Sequence, residues 1–299
     1  MRYSGLLRSR FIFCILLLSC GALESAGAAG PELILCGGNE VFIWDVDADS
    51  NPKVWSWKAS DHPEIPLEIR GRFQTTDDCK ATDGGTNILI TSSGGGVALV
   101  ERATGRTVFW AEVANAHSAE MLPAGRIAVA GSTAERGNRI ALFDRTRPGH
   151  ELLSHPLHGA HGLFWNSGIG CLWALGEFEL LAFKLDDWEG PAPRLIVDRK
   201  IRLPDPGGHD LRSVPGSEDL FITTRGHVWV FNQRDLAFRP HAHLGQFLDV
   251  KSVDMHPGSG RIAYVQAEIS WWAERVKMLM PDGELKFPGQ KIYKARWVP

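Results

Sequence analysis

Three histidines mark the positions where residue type and spacing could do chemistry. His117, His161 and His209 are 44 and 48 residues apart, and each opens a similar stretch of sequence. Those stretches are HSAEMLPAGRIAVAGS, HGLFWNSGIGCLWALG and HDLRSVPGSEDLFITT. Three imidazoles that converge on one point could bind a divalent metal ion and leave a position open for water or substrate. Alternatively, they could hydrogen-bond a sugar, with one ring acting as general acid or base.

The same repeat places three further residues at the corresponding position. DCKATDGGTNILITSS begins at Asp78, and KSVDMHPGSGRIAYVQ begins at Lys251. YKARWVP begins at Tyr293 and matches HSAEMLP as far as the shared proline. Successive starts are 39 to 48 residues apart. We therefore expect Asp78, Lys251 and Tyr293 to complete a ring of six positions with the three histidines.

The repeat also predicts the elements that must position this ring. Each unit begins with a polar residue, continues as a short apolar strand, turns at Pro, Gly or Asn, and resumes as a strand. Two further strands follow, as in GNRIALFDRT and HVWVFNQRD. A four-stranded unit of this length is typical of a β-propeller blade. The sequence thus predicts an all-β chain with six four-stranded antiparallel blades.

The two ends of the chain are predicted to share one blade. The segment PELILCGGNEVFIWDVD, from Pro31, reads as the second and third strands of a unit without its opening strand. The C-terminal strand, residues 292–298, supplies the missing strand and closes the ring, which removes open sheet edges. Residues 31–299 would then form a single propeller domain.

The inner strands of a propeller begin at one face and run down the central channel, so the six aligned residues should surround one mouth. Lys251, Arg212, Arg225 and Arg296 could hold an anion such as a uronate carboxylate there. Trp271 and Trp272, in EISWWAERV, fall in a loop on the same face and could stack on a sugar ring.

Two functions remain open at this point. The first is binding, with or without cleavage, of a carbohydrate or other small polar ligand by the histidines and their neighbours, with a divalent metal as one option. The second is a non-catalytic scaffold for protein partners. A purely structural origin also fits, because channel-facing positions are wet and a duplicated histidine needs no ligand.

The N-terminus has the features of a secretory leader. Arg2, Arg8 and Arg10 precede an apolar run, residues 11–23, that is too short to span a bilayer. The small-x-small pattern at 26–28 predicts a signal peptide of residues 1–28. LLSC, ending at Cys20, instead resembles a lipobox, which would lipidate Cys20. We expect a secreted or periplasmic protein, or one that is lipid-anchored at the cell envelope.

The net charge limits the classes of binding partner that we expect, and the cysteine spacing limits the disulfides. The chain has a net charge of −3, and the basic leader leaves the mature part near −5, which argues against nucleic-acid binding. The spacing of Cys36, Cys79 and Cys171 shows no disulfide framework, so we expect buried thiols with at most one disulfide. We expect a monomer that touches a membrane only if Cys20 is lipidated.

The motifs also carry a resemblance. Trp44-Asp45 in VFIWDVD, together with LFDRT at 142–146 and VFNQRD at 230–235, resembles the strand ends of WD40-like and TolB-like propellers. The Trp-Asp pair occurs once, without a regular Gly-His pair before it. The chain is thus identified as a secreted bacterial six-bladed propeller of an uncharacterised kind. In broad plan it is similar to propeller polysaccharide lyases, such as oligogalacturonate lyase, and to propeller glycosidases with a catalytic histidine, which implies carbohydrate chemistry at His117, His161 and His209. Propellers serve as enzymes, lectins and scaffolds alike, so the fold alone assigns no function.

Overall fold

The computed structural model describes Met1, residues 30–190 and residues 192–299. Residues 2–28 of the predicted leader, including Cys20, lie outside the described residues. Short runs rich in Val, Ile, Leu and Trp form the strands, and Gly, Asn, Asp and Pro separate them. Within the described residues, no helix is long and apolar enough to cross a membrane.

The described residues contain twenty-four strands, which form six sheets of four. Blade 1 contains β1 (Glu32–Gly37), β2 (Val41–Asp45), β3 (Lys53–Trp57) and the C-terminal β24 (Ile292–Trp297). Blade 2 contains β4 (Thr76–Thr82), β5 (Asn87–Ser92), β6 (Gly96–Glu101) and β7 (Thr107–Glu112). Blade 3 contains β8 (Ala116–Leu122), β9 (Arg126–Gly131), β10 (Arg139–Asp144) and β11 (Glu151–Pro156).

The remaining three blades follow in chain order. Blade 4 contains β12 (Gly162–Asn166), β13 (Cys171–Leu175), β14 (Glu179–Asp186) and β15 (Arg194–Arg202). Blade 5 contains β16 (Asp210–Ser213), β17 (Asp219–Thr223), β18 (Val228–Asn232) and β19 (Ala237–Pro240). Blade 6 contains β20 (Val250–Met255), β21 (Ile262–Gln266), β22 (Arg275–Leu279) and β23 (Gly283–Lys286). The helical elements are α1 (Leu67–Arg70) and single 3-10 turns at Ala59–Asp61, Asp83–Gly85 and Pro123–Gly125.

The sheet pairing confirms the predicted fold and the predicted closure. All pairs within a blade are antiparallel, and β24 pairs with β1, with Leu33 opposite Trp297 and Cys36 opposite Lys294. The chain end therefore supplies the inner strand of the first blade. Cys36, Cys79 and Cys171 are buried free thiols, as expected from their spacing.

The inner strands β4, β8, β12, β16, β20 and β24 share one side-chain pattern. We call the face of the ring on which these strands begin the top face. The lead residues lie at that end of the inner strands, within one residue of the strand start, and are Asp77, His117, His161, His209, Lys251 and Tyr293. The second residue after the lead is apolar and fully buried in all six strands, where it packs blade against blade. These residues are Cys79, Ala119, Leu163, Leu211, Val253 and Ala295.

Between those apolar residues, charged side chains from the inner strands fill the channel. Arg296 has no exposed surface; its Nε donates to Asp78 Oδ1 at 3.1 Å and its Nη1 to Asp210 Oδ2 at 2.8 Å. Lys294 Nζ reaches the same Asp210 carboxylate at 3.1 Å, and Ser118 Oγ donates to Asp78 Oδ2 at 2.7 Å. These contacts join blades 1, 2, 3 and 5 across the axis.

A second set of contacts completes the network. Lys80 Nζ donates to Glu120 Oε2 at 2.9 Å and to the carbonyl of Leu163 at 2.7 Å. Arg212 Nε donates to Asp254 Oδ1 at 3.0 Å. All six inner strands therefore take part in the channel network, which is defined by Asp78, Lys80, Glu120, Asp210, Arg212, Asp254, Lys294 and Arg296. It holds four acidic and four basic side chains.

Ion pairing with lysine and arginine side chains outweighs the effect of burial on the pKa values of the buried aspartates. Burial alone would raise the pKa of Asp210, but Arg296 and Lys294 lower it to about 2. The pKa of Asp78 is also lowered, against the effect of burial, by Arg296, Lys294 and Lys80. Both carboxylates therefore remain ionised, which the partner cations require.

We expect Arg296→Ala to destabilise the fold by about 3–5 kcal/mol, because it leaves two buried carboxylates without their shared cation. Chemical denaturation of the variant and the wild type measures the difference. The matched control is Arg234→Ala, which removes an exposed ion pair with Glu218 and should change stability little. Equal stability losses in the two variants would contradict the central role of Arg296.

We also expect an acid-induced loss of stability from Asp210. Its pKa is lower in the folded chain than in the unfolded chain, so its contribution is fully present above about pH 4. That contribution, on the order of 2 kcal/mol, is lost as the pH falls from about 4 towards 2. Denaturation curves recorded across this range should show a smaller pH dependence in Asp210→Asn than in the wild type.

Candidate functional site

Most of the lead residues lie outside the regular strand pairing, and their side chains therefore reach the mouth of the channel. Register shifts leave one residue unpaired in each of β4, β8, β20 and β24. The unpaired residues are Asp77, His117, Lys251 and Tyr293. A β-bulge of this kind turns the extra side chain away from the direction that pairing would impose, and bulges are common beside functional sites.

The loops that lead into the inner strands help to aim these side chains. The residue two positions before the lead has a left-handed backbone in four blades, at Asn115, Gly159, Gly207 and Asp249. Asn, Asp and Gly adopt this conformation at low cost. In blades 4 and 5 the lead residue precedes the strand, and its N–H donates to the neighbouring strand at 2.8 Å, His161 to Leu175 and His209 to Thr223.

The structure places the acidic member of the ring one residue earlier than the sequence alignment did. Asp77, not Asp78, stands at the lead position of blade 2, because the bulge in β4 falls between Thr76 and Asp78. Asp78 turns into the channel and pairs with Arg296. An alignment without gaps cannot find this position, because the turn between β4 and β5 is one residue longer than the turn between β8 and β9.

The three histidines that share the lead position lie in contact. The rings of His117 and His161 stack, with centroids 4.0 Å apart and planes at 24°. His209 meets His161 edge to face at 5.2 Å. At the other end of this row, the centroid of Tyr293 is 6.1 Å from that of His117. Five of the six lead residues thus lie where the sequence placed them.

Hydrogen bonds define which nitrogen of His161 and of His209 carries the proton. His161 Nδ1 lies 3.2 Å from the carbonyl oxygen of Gly159, which can only accept, so Nδ1 is protonated. Ser132 Oγ lies 3.0 Å from the same nitrogen. Lys251 Nζ donates to His209 Nε2 at 3.1 Å, so this ring also carries its proton on Nδ1.

Both of these rings are held neutral. Burial lowers the pKa of His161 well below its usual value, and the nearby His117, His209 and Lys294 add to the effect. Burial lowers the pKa of His209 in the same way, followed by the charge of Lys251. Neutral imidazoles can offer lone pairs or N–H groups to a ligand without adding charge to the mouth.

The mouth has a basic side at blades 5 and 6. Lys251 Nζ bridges His209 and Asp249 Oδ1, the latter at 3.2 Å, and burial lowers the pKa of Lys251. Arg225 is exposed in the loop between β17 and β18, and its charge contributes to the lowered pKa values of both His209 and Lys251. This loop and the Lys251 side chain are therefore close together.

A small aromatic cavity lies beside His117, at the other end of the histidine row. It has a volume of about 170 Å³ and is lined by Asp77, Ser93, His117, Trp271 and Tyr293. Trp271 meets Tyr293 edge to face, with centroids 5.6 Å apart. This volume is below the roughly 300–1,000 Å³ of pockets for drug-sized ligands, so the cavity suits a single ring or a small group.

Three predicted residues lie elsewhere. Arg212 and Arg296 form ion pairs in the channel network, below the mouth. Trp272 does not line the cavity, and its ring instead lies beneath Lys291 Nζ at 5.4 Å. Sequence alone could not separate these residues from the site, because their partners come from blades distant in the chain.

The three histidines do not form a metal-binding arrangement. The rings of His117 and His161 stack face to face. Among the described residues, no group of three His, Cys, Asp or Glu side chains is arranged to hold a metal ion.

The site includes residues that the sequence analysis missed, namely Asp77, Ser93, Ser132 and Asp249. The acid adjacent to Asp78 was the available signal for Asp77. The others come from loops and second strands that no repeat pattern singles out. A larger cavity, of about 660 Å³, lies away from this mouth, beside the start of β1 and the turn between β20 and β21.

Comparison with known proteins supports the fold and identifies a family. The "Family of unknown function (DUF6528)" matches residues 34–299. The chain belongs to this family. A search of curated proteins finds no match. This membership covers nearly the whole described propeller but carries no activity with it, so the function must be argued from the mouth.

Comparison with solved structures supports the fold and indicates no function. A chain from "Crystal Structure of Mitotic Checkpoint Complex" is similar with a TM-score of 0.55 and 11% identity, over 79% of this chain and 68% of that one. In all, 1232 solved chains match. So widespread a fold does not narrow the function.

The contact between Lys251 and His209 gives a testable titration. In Lys251→Met we expect the pKa of His209 to rise, because a nearby positive charge and a donor to the neutral ring are both removed. The pKa of His161 should move less, since Lys251 is not among the main groups that shift it. Titration of the imidazole signals by NMR measures both, and equal shifts would contradict the contact.

Proposed function

We propose that the mouth of the channel binds a carbohydrate-like ligand, with an anionic group on the ligand facing blades 5 and 6. The observation that carries this proposal is the placement of an aromatic cavity directly against a row of histidines. Sugars combine an apolar face of C–H groups with many hydroxyls. Such a ligand matches a site that offers aromatic surface and hydrogen-bonding groups together.

The charges around the mouth support an anionic ligand. Lys251 and the exposed Arg225 lie close to His209, whose ring contacts the ring of His161. A carboxylate held there would leave the rest of a sugar ring within reach of His161, His117 and Trp271. A lysine ammonium and an arginine guanidinium are the usual partners of such an anion.

A glycan-binding screen tests this proposal. We expect anionic oligosaccharides to bind the wild type, and Trp271→Ala to bind them about tenfold more weakly, which corresponds to ~1.4 kcal/mol. Trp272→Ala is the matched control, because Trp272 lies outside the cavity and its removal should leave binding unchanged. His161→Ala should also weaken binding. Absence of glycan binding by the wild type would refute the proposal.

A protein partner is the second candidate function. Three apolar side chains on loops of the top face are about half exposed, Phe178 at 54%, Leu248 at 60% and Ile269 at 46%. Exposed apolar side chains around a propeller mouth are compatible with a docking surface. In that case, substitution of these loop residues would abolish partner binding while Trp271→Ala would have little effect.

We further propose that the protein works in the cell envelope or outside the cell, on the basis of the leader. The mature chain is expected to begin after residue 28, or at a lipid-modified Cys20. Intact-mass measurement of the protein purified from its native host distinguishes these outcomes. A chain that retains Met1 and residues 2–28 would contradict the proposal.

A further inference from the structure

Asp77 is the most firmly held side chain at the mouth. It is 2% exposed, and the bulge in β4 turns it towards blade 3. Its Oδ2 accepts the N–H of Ser93, from the loop after β5, and its Oδ1 lies 3.1 Å from His117 Nδ1. Each carboxylate oxygen therefore faces one defined group, and the carboxylate cannot turn without losing both contacts.

The two contacts of Asp77 differ in quality. The Ser93 N–H points at Oδ2 and forms a short hydrogen bond. The contact with His117 is close but poorly aligned, so it acts mainly through charge. A negative carboxylate beside Nδ1 still stabilises the tautomer in which Nδ1 carries the proton.

Of the three histidines, His117 is the one that lines the aromatic cavity. Lys251 occupies Nε2 of His209, and the third ring, His161, lies behind His117 in the stack. Nε2 of His117 has no polar partner among the described residues and is not enclosed. The His117 side chain is 13% exposed and borders the aromatic cavity.

We propose that Asp77 is a positioning residue that keeps the Nδ1 proton on His117, so that Nε2 acts as the general base of the aromatic cavity. This inference rests on the proposed function, since it concerns a ligand held against Trp271 and Tyr293. Nε2 takes a proton from a ligand hydroxyl or a bound water. The O–H bond breaks, an N–H bond forms at Nε2, and the electron pair stays on the oxygen as a nucleophile.

The charge balance favours this step at His117 over its neighbours. Protonation of Nε2 creates an imidazolium, and the Asp77 carboxylate 3.1 Å from Nδ1 offsets its charge. A proton on His209 would instead face the Lys251 ammonium. The aspartate and the lysine thus make the two ends of the histidine row chemically unequal.

Asp77→Asn gives a sharp test, because the amide keeps only one acceptor oxygen. The Ser93 N–H needs that oxygen, which leaves the amide NH₂ facing His117 Nδ1. Nδ1 must then accept, and the proton moves to Nε2. The ¹⁵N NMR signals of the His117 ring should report the Nδ1–H tautomer in the wild type and the Nε2–H tautomer in Asp77→Asn. Asp77→Glu should restore the wild-type tautomer.

Reaction with diethyl pyrocarbonate provides a second readout. Only an unprotonated, accessible ring nitrogen attacks this reagent. The tryptic peptide 107–126 contains His117 as its sole histidine, so mass spectrometry can follow this site alone. We expect modification of His117 in the wild type and its loss in Asp77→Asn.

Asp249→Asn is the matched control, because Asp249 contacts Lys251 on the basic side of the mouth. This variant should leave the tautomer and the reactivity of His117 unchanged. A wild-type His117 with its proton on Nε2, or an unchanged tautomer in a folded Asp77→Asn, overturns the inference. The tautomer of His117 in the wild type alone is therefore enough to test the inference.

The result separates this inference from the proposed function. A tautomer switch in Asp77→Asn without glycan binding by the wild type would support the role of Asp77 and refute the ligand class. Glycan binding with no tautomer switch would support the ligand class and refute the role of Asp77.

Discussion

The ion pairs of Arg296 are the interaction on which the rest of this molecule depends. A fully buried guanidinium at the channel axis joins the closing strand β24 to Asp78 of blade 2 and Asp210 of blade 5. A buried cation without partners would be prohibitively costly, and so would either carboxylate alone. The ring therefore satisfies these charges only when the last strand of the chain is in place.

This constraint extends to the mouth. Lys294, two residues from Arg296, also donates to the carbonyl of His209 at 3.3 Å, and its charge helps to lower the pKa values of His161 and His209. The channel network, with equal numbers of acidic and basic side chains, thus lies directly beneath the histidine row. The bulged lead residues lie above it, outside the strand pairing.

The histidine row at the mouth consequently has two unlike ends. Lys251 provides positive charge beside His209, while Asp77 provides negative charge beside His117 and the aromatic cavity. This difference in charge distinguishes His117 from two histidines of the same repeat position.

The sequence by itself determined the blade count, the closure by β24 and the shared repeat position of His117, His161 and His209, because all three follow from one pattern recurring at near-constant spacing. The tertiary structure alone decided that the three rings meet. Strand pairing placed Asp77 instead of Asp78 in line with them, and contacts with other blades hold Arg212 and Arg296 in buried ion pairs below the mouth. A sequence repeat indicates which position along its strand a residue occupies. The direction of its side chain and the charge opposite it depend on strand register and on the blades that the ring brings together.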